Sequence, residues 1–252
     1  MPADATPEPA RPAAGVRSAA GVRPTPDTYW LLKGSTLLAM SLLGGLHVRG
    51  EENVPESGPV LLVSNHVSYL DPVSIGNASP RRVVFMAKQE IFQVQALGFL
   101  LRGVDSFPVR RGQPDRQAVR TALAMLEEGR VVCIFPEGTR WTGADLGPPE
   151  SGAALFALKT GCPVVPVYVD GSARMLDLRG RLHRAPITVS FGPAFTFPKG
   201  RADRETLDRS GREMMAAIAR TRDEMAGLPA RRIRPHFPRM PREGSRAPRS
   251  RA

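Results

Sequence analysis

Val60-Leu61-Leu62-Val63-Ser64-Asn65-His66-Val67-Ser68-Tyr69-Leu70-Asp71-Pro72 is the stretch on which the reading of this chain turns. Four apolar residues ending in Ser64 predict a short buried strand, and Asn65-His66 stand where such a strand leaves the core. Asp71 follows the histidine by five positions and precedes Pro72, as in an N-cap with proline in the first helical turn, so a carboxylate returns towards the imidazole. An aspartate that accepts from one ring nitrogen fixes the tautomer and leaves the other nitrogen free to take a proton from a hydroxyl. This is the base half of a catalytic triad without a serine beside it, which makes the substrate's own alcohol the nucleophile. A strand-end histidine followed by a plain N-cap fits the same residues, because motifs this short also arise by chance. The segments downstream decide between the two.

At 252 residues and 42% hydrophobic content the chain can bury one sizeable α/β core, or at most two small ones. Cys133 and Cys162 lie in separate apolar runs without the spacing of a metal site, which argues against a disulfide scaffold or structural zinc. The formal charge of +11 raises the question of nucleic acid. Its distribution answers it: residues 230–252 carry eight arginines against Glu243 alone, leaving the rest near +4. That tail has only Phe237 for base stacking, so nucleic acid is not the expected partner.

Residues 1–27 are rich in Pro, Ala and Gly and read as a disordered leader without the form of a secretory signal. Residues 28–48 read as a helix from Tyr29 to Val48. On its wheel Lys33, Thr36, Ser41, Gly44 and His47 form a polar wedge, while leucines, Met40 and Trp30 cover the rest. Such a helix suits the plane of a membrane interface, anchored by Tyr29, Trp30 and Lys33, and also fits an ordinary core helix. Residues 49–228 form the expected catalytic domain. Arg82–Ala87 reads as a second strand, Ile91–Leu101 as an amphipathic stretch, and Phe107–Arg111 as a β-run ending in two cations. The spacing of Val119, Ala122, Leu123 and Leu126 predicts a helix over Pro114–Glu128, stopped by Gly129. Val131–Phe135 is an apolar strand ending in Pro136-Glu137-Gly138-Thr139-Arg140. Ala153–Thr160 is a helix; Val164–Val169 is a strand whose Pro166 argues for an edge or strand-end position. A strand over Pro186–Phe191 and a charged helix over Arg201–Met225 follow, and residues 229–252 read as an unstructured basic tail.

Strands apolar on both faces and alternating with helices predict a single α/β domain with a mostly parallel or mixed central sheet covered on both sides. In such a fold the polar strand ends gather in one place. Here they are Asn65-His66, Arg110-Arg111 and Glu137–Arg140, a base beside a cationic, anion-binding surface.

In order and spacing, Asn65-His66-x-x-x-x-Asp71, Gly103 through Phe107-Pro108-Val109-Arg110, Phe135–Arg140 and Val164-Val165-Pro166-Val167 resemble the four blocks of the lysophospholipid and glycerolphosphate acyltransferase family. The resemblance covers roughly residues 48–195. It implies that His66 deprotonates the acceptor hydroxyl and that Asp71 orients it. It also implies that Arg110, Glu137, Gly138, Thr139 and Arg140 hold a glycerolphosphate acceptor, and that Pro166 lies on the acyl-donor side. Arginine's planar fork of donors suits a phosphomonoester. Glu137 repels phosphate and therefore either accepts from an acceptor hydroxyl or positions Arg140. Family members often hold a basic residue shortly before the glycine that opens the next helix; this chain has Glu150 ahead of Gly152, which bears on the identity of the acceptor.

The expectation is thus an acyltransferase moving a fatty acyl group from acyl-CoA or acyl carrier protein to the free hydroxyl of 1-acyl-sn-glycerol-3-phosphate. It needs no cofactor and no metal, and its expected place is the anionic cytoplasmic face of the plasma membrane. The alternatives are another lysolipid acceptor or a non-catalytic lipid- or nucleic-acid-binding protein.

Overall fold

The computed structural model describes residues 26–90, 106–109, 115–143, 145–150, 152–177 and 179–235. The leader to residue 25, the stretch Ile91–Leu101, Arg110, Arg111, Pro114 and the tail beyond 235 lie outside the described residues.

The five residues of β2 (Val60–Ser64) are all buried, because apolar side chains on both faces of a strand demand cover from both sides. Around it stand β1 (Leu46–Arg49), β3 (Val83–Lys88), β4 (Phe107–Val109), β5 (Val131–Ile134), β6 (Val164–Asp170), β7 (Ile187–Phe191) and β8 (Arg231–Ile233), in the order β4-β3-β5-β2-β6-β7-β1-β8. From β4 to β6 every pairing is parallel; β7 then runs antiparallel to β6, β1 parallel to β7, and β8 antiparallel to β1. The sheet is mixed, as expected.

One face carries α1 (Pro26–Leu42) and α2 (Asp71–Ala78), whose Leu37, Met40 and Ile75 pack with Leu62, Cys133, Val165 and Val167. The other carries α3 (Arg116–Glu127), α4 (Gly152–Thr160) and α6 (Arg204–Met225), placing Ala122, Leu126, Phe156, Met214 and Ile218 on Leu61, Val63 and Val132. A short α5 (Ser172–Met175) follows β6. Truncating Leu61 or Leu62, both wholly buried, to alanine would cost about 2–5 kcal/mol through lost transfer energy and a residual cavity.

Four elements depart from the sequence reading. Pro166 sits neither at an edge nor at a strand end: β6 lies between β2 and β7, with Pro166 opposite Val63. The ring is accommodated by a bulge in the partner. Val167 pairs with Phe191 and Val164 with Phe195, so one more residue lies on the β7 side, and the Pro166 carbonyl accepts from Gly192 N–H at 2.8 Å. Proline's missing donor therefore faces a break in the ladder. The helix expected over residues 28–48 stops at Leu42, and Leu46–Arg49 enters the sheet as β1. Arg231–Ile233, expected in the tail, pairs with β1 as β8. The helix expected from Pro114 starts at Arg116, where Asp115 caps it by accepting from Ala118 N–H at 2.9 Å.

The orientation of α1 bears on function. Its polar residues turn inward: the Thr36 hydroxyl accepts from Asn77 Nδ2 at 3.0 Å and Lys33 Nζ donates to the Ser79 carbonyl at 3.4 Å. Burial pulls the Lys33 pKa from 10.5 down to about 8. Trp30, Leu31, Leu38 and Leu42 face outward, each 43–65% exposed. Among the described residues no helix is long and apolar enough to cross a membrane.

Candidate active site

The imidazole stands where β2 ends, and its surroundings come from three neighbouring segments. Asp71 Oδ2 accepts from His66 Nδ1 at 2.8 Å and from the backbone N–H groups of Val67 at 2.7 Å and Ser68 at 2.8 Å. Asp71 is not the N-cap; Leu70 is, and Asp71 is the first residue of α2, with its carboxylate turned back into the loop before the helix. The physical reason is that loop's two free donors, which converge on one oxygen and hold it against the ring. With Oδ2 an acceptor for all three groups, Nδ1 carries the proton and Nε2 is the basic nitrogen. Asp71 is wholly buried, and its Oδ1 has no hydrogen-bond partner among the described residues.

Asn65 anchors the preceding residue. Its amide brackets Val169 of β6, donating to the carbonyl at 3.0 Å and accepting from the N–H at 2.8 Å. The strand end is thereby stitched to its neighbour before the chain turns.

The loop after β5 closes over the histidine. Pro136 and Glu137 are the central residues of a turn in which Gly138 N–H donates to the Phe135 carbonyl at 3.0 Å, proline's fixed φ suiting the second position. The Phe135 ring stacks on the imidazole, centroids 4.1 Å apart and planes 20° apart. Glu137 Oε2 accepts from His66 N–H at 2.8 Å and Oε1 from Gly147 N–H at 2.9 Å, while Trp141 N–H donates to the His66 carbonyl at 2.7 Å. Glu137 is thus buried with both oxygens engaged by backbone, a staple between the strand end and residues 141–150. Neither sequence reading, contact with an acceptor hydroxyl or support of Arg140, matches that geometry. Desolvation raises its carboxyl pKa, opposed by the same two N–H groups.

Beyond the turn the loop becomes accessible. Thr139 is exposed, and the Arg140 guanidinium lies over the Tyr69 ring, 3.7 Å from its centroid. Gly138 has φ +67°, which favours glycine, and it lies close against the Glu150 carboxylate, which would have to swing away from a Cβ there. Phe135 also lines a cavity of about 210 Å³ between α3, α4 and the strand ends. Met86, Val109, Val119, Ile134 and Phe156 make its walls apolar; Asp115 and Glu150 lie on it too.

His66, Asp71, Glu137, Gly138, Thr139 and Arg140 therefore gather at one end of the sheet, past the C-termini of β2 and β5. Arg110 lies outside the described residues. Pro166 is not brought to the cluster: it is buried inside β6, its ring near Gly192 and Thr221 on the α6 side. Sequence reasoning placed Asn65 only as a strand end and Phe135 only as part of a motif, and it missed Tyr69 and Trp141 at this end of the sheet. The available signal was an aromatic, Tyr69, in the short loop between β2 and α2.

With this geometry in hand, the family is decided by a family model described as acyltransferase, which matches residues 45–170, the span from β1 to the end of β6. The chain belongs to the acyltransferase family. Over 157 residues this acyltransferase is 34% identical to a 1-acyl-sn-glycerol-3-phosphate acyltransferase of Bacillus subtilis, covering 61% of the chain and 78% of the relative. It is 29% identical to one from Streptococcus pneumoniae, covering 65% and 61%, and 33% identical to human 1-acyl-sn-glycerol-3-phosphate acyltransferase beta, covering 53% and 54%. The crystal structure of the 1-acyl-sn-glycerophosphate acyltransferase PlsC from Thermotoga maritima shares its fold, with TM-score 0.63, 24% identity and coverage of 80% and 81%.

Proposed function

We propose that this acyltransferase moves a fatty acyl group from a thioester donor, acyl-CoA or acyl carrier protein, to the free hydroxyl of 1-acyl-sn-glycerol-3-phosphate, giving phosphatidic acid. One observation carries the reading: Asp71 Oδ2 lies 2.8 Å from His66 Nδ1 and is fixed there by two backbone donors. Nε2 takes the acceptor's hydroxyl proton as the oxygen attacks the thioester carbonyl carbon. The buried carboxylate stabilises the imidazolium that forms. The tetrahedral intermediate then collapses, the carbon–sulfur bond breaks, and the imidazolium returns its proton to the leaving thiolate. No acyl-enzyme is required. Arg140, with Arg110, holds the acceptor phosphate through bidentate donation, beside Gly138 and Thr139. Glu137 acts by holding the His66 backbone. The apolar cavity past Phe135 suits an alkyl chain of donor or acceptor.

The outward apolar face of α1 supports attachment in the plane of a membrane, and the expected side is the cytoplasmic face of the plasma membrane. A second acceptor reading, the same chemistry on another lysolipid, has one observation in its favour: the Glu150 carboxylate beside Gly138, which disfavours a doubly charged phosphate and would suit a headgroup with a cation.

The test is purified protein with labelled acyl-CoA and a panel of lysolipids. Wild type should acylate the phosphate-bearing acceptor fastest, and His66→Ala should lose at least the roughly 10²-fold typical of general-base catalysis while acceptor binding persists. Near-normal turnover by the folded variant refutes the mechanism.

A further inference from the structure

The chain between α5 and β7 turns back on itself as a small hairpin closed by a bridge between Leu176 and Leu182. Its carboxylate points inward. Asp177 Oδ1 accepts from the N–H groups of Arg179 and Arg181, each at 2.9 Å, and Oδ2 lies 3.0 Å from His183 Nε2. The Arg179 and Arg181 guanidiniums are left exposed, with no ion pair among the described residues, and Leu182 beside them is 58% exposed.

This hairpin is joined to the end of α1. Arg184 donates to the Leu42 carbonyl at 3.3 Å, Arg232 to the Ser41 carbonyl at 3.3 Å, and Ala185 N–H to the Leu43 carbonyl at 2.8 Å. Two cations thus sit on the last carbonyls of the helix, where its dipole favours them. Leu42, whose carbonyl Arg184 holds, is 65% exposed at the end of the apolar face of α1.

Both features lie at the end of the sheet that holds the histidine. Leu46 pairs with Ile187, Thr188 with Asp170, and Asn65 brackets Val169, so α1, the hairpin and His66 meet the sheet at its same end. From β2 to β1 is three strand spacings, roughly 14 Å.

We propose that the hairpin bearing Arg179, Arg181 and Leu182, with the end of α1, is a second membrane contact that seats the catalytic end of the sheet on anionic phospholipid headgroups. This rests on the membrane-surface reading above and adds to it a fixed orientation. A helix lying in an interface can still roll about its own axis; a cationic contact off that axis stops the roll. Arginine is the suitable cation because its fork pairs with phosphate oxygens while Leu182 and Leu42 enter the apolar layer below.

The experiment compares full-length wild type with Arg179→Gln/Arg181→Gln in co-sedimentation with vesicles of phosphatidylglycerol and phosphatidylcholine, and of phosphatidylcholine alone. At low salt, each cation removed should weaken anionic-vesicle binding about fivefold, so roughly 25-fold for the pair. Binding to neutral vesicles and turnover of a soluble short-chain acceptor should stay at wild-type values. Binding to anionic vesicles within twofold of wild type overturns the proposal, as does an equal loss on both vesicle types. A loss confined to an added duplex oligonucleotide, with vesicle binding intact, also overturns it by making the patch a nucleic-acid contact. If wild type transfers no acyl group to any acceptor, the proposed function fails, while the vesicle comparison still decides the role of the hairpin.

Discussion

Replacing Asp71 by asparagine separates two contributions that are usually lost together. The Asp71 Oδ2 position faces three donors, His66 Nδ1 and the N–H groups of Val67 and Ser68, all within 2.7–2.8 Å. An amide nitrogen cannot occupy it, because it would meet two backbone N–H groups head-on. In the Asp71→Asn variant the amide oxygen must take that place and its NH₂ the Oδ1 position, which has no hydrogen-bond partner among the described residues. The proton therefore stays on Nδ1 and the tautomer survives; what disappears is the charge. A hydrogen bond to a charged group exceeds a neutral one by about 1–2 kcal/mol, so kcat should fall about 5- to 30-fold. The buried NH₂ without a partner should separately cost about 1–3 kcal/mol of stability. The assay is steady-state release of free thiol with a soluble short-chain acceptor, beside urea unfolding of the same preparation. A loss near the roughly 10⁴-fold that accompanies a wrong tautomer would show that the amide has turned over, refuting the backbone lock. Wild-type kcat would remove Asp71 from the mechanism.

Glu137→Gln must set an NH₂ against the N–H of His66 or Gly147, so stability should drop by about 1–3 kcal/mol, with kcat falling more than acceptor KM rises; denaturant midpoints and steady-state kinetics check both. Tyr69→Ala should raise KM for a phosphate-bearing acceptor about 2- to 5-fold by freeing the Arg140 guanidinium, while Tyr69→Phe keeps the stacked ring and wild-type KM. Lys33→Met should stabilise the protein at pH 7, by at most about 3 kcal/mol. The sign follows from a folded pKa of about 8 against 10.5: the cost of burying the cation is full below pH 8, is relieved as the folded state loses its proton first, and is gone above 10.5, so urea midpoints of variant and wild type should converge at high pH.

The parts of the fold that could be read from sequence are those whose own residues carry the constraint. All five residues of β2 are buried because its composition leaves no face for solvent. His66 and Asp71 could be placed together because the end of β2 at Ser64 and the proline-led start of α2 at Asp71 leave only a short loop between them. What escaped notice depends on partners far away in the chain. Leu46-His47-Val48-Arg49 alternates over only four residues and Arg231-Arg232-Ile233 has one apolar residue, and they become β1 and β8 by pairing with β7 and with each other. Pro166 was misread because the bulge that admits it lies in Phe191–Phe195, not in its own strand. The polar wedge of α1 was correctly seen at Lys33 and Thr36, but only α2 reveals that this side faces the protein. Glu137 resisted explanation because its partners are backbone N–H groups, which no residue type announces.

The pairing of β1 has a consequence for the newborn chain. Leu46 meets Ile187 only 141 positions later, and β8 later still, whereas β2, β5 and β6 lie closer in sequence. During synthesis the inner parallel strands can therefore assemble while Leu46–Arg49 still has an open edge and α1 lacks part of its seat. An apolar helix waiting in that state beside an unpaired strand is exposed to aggregation. Closure of this sheet therefore waits on its C-terminal strands, and the seat of α1 is completed last.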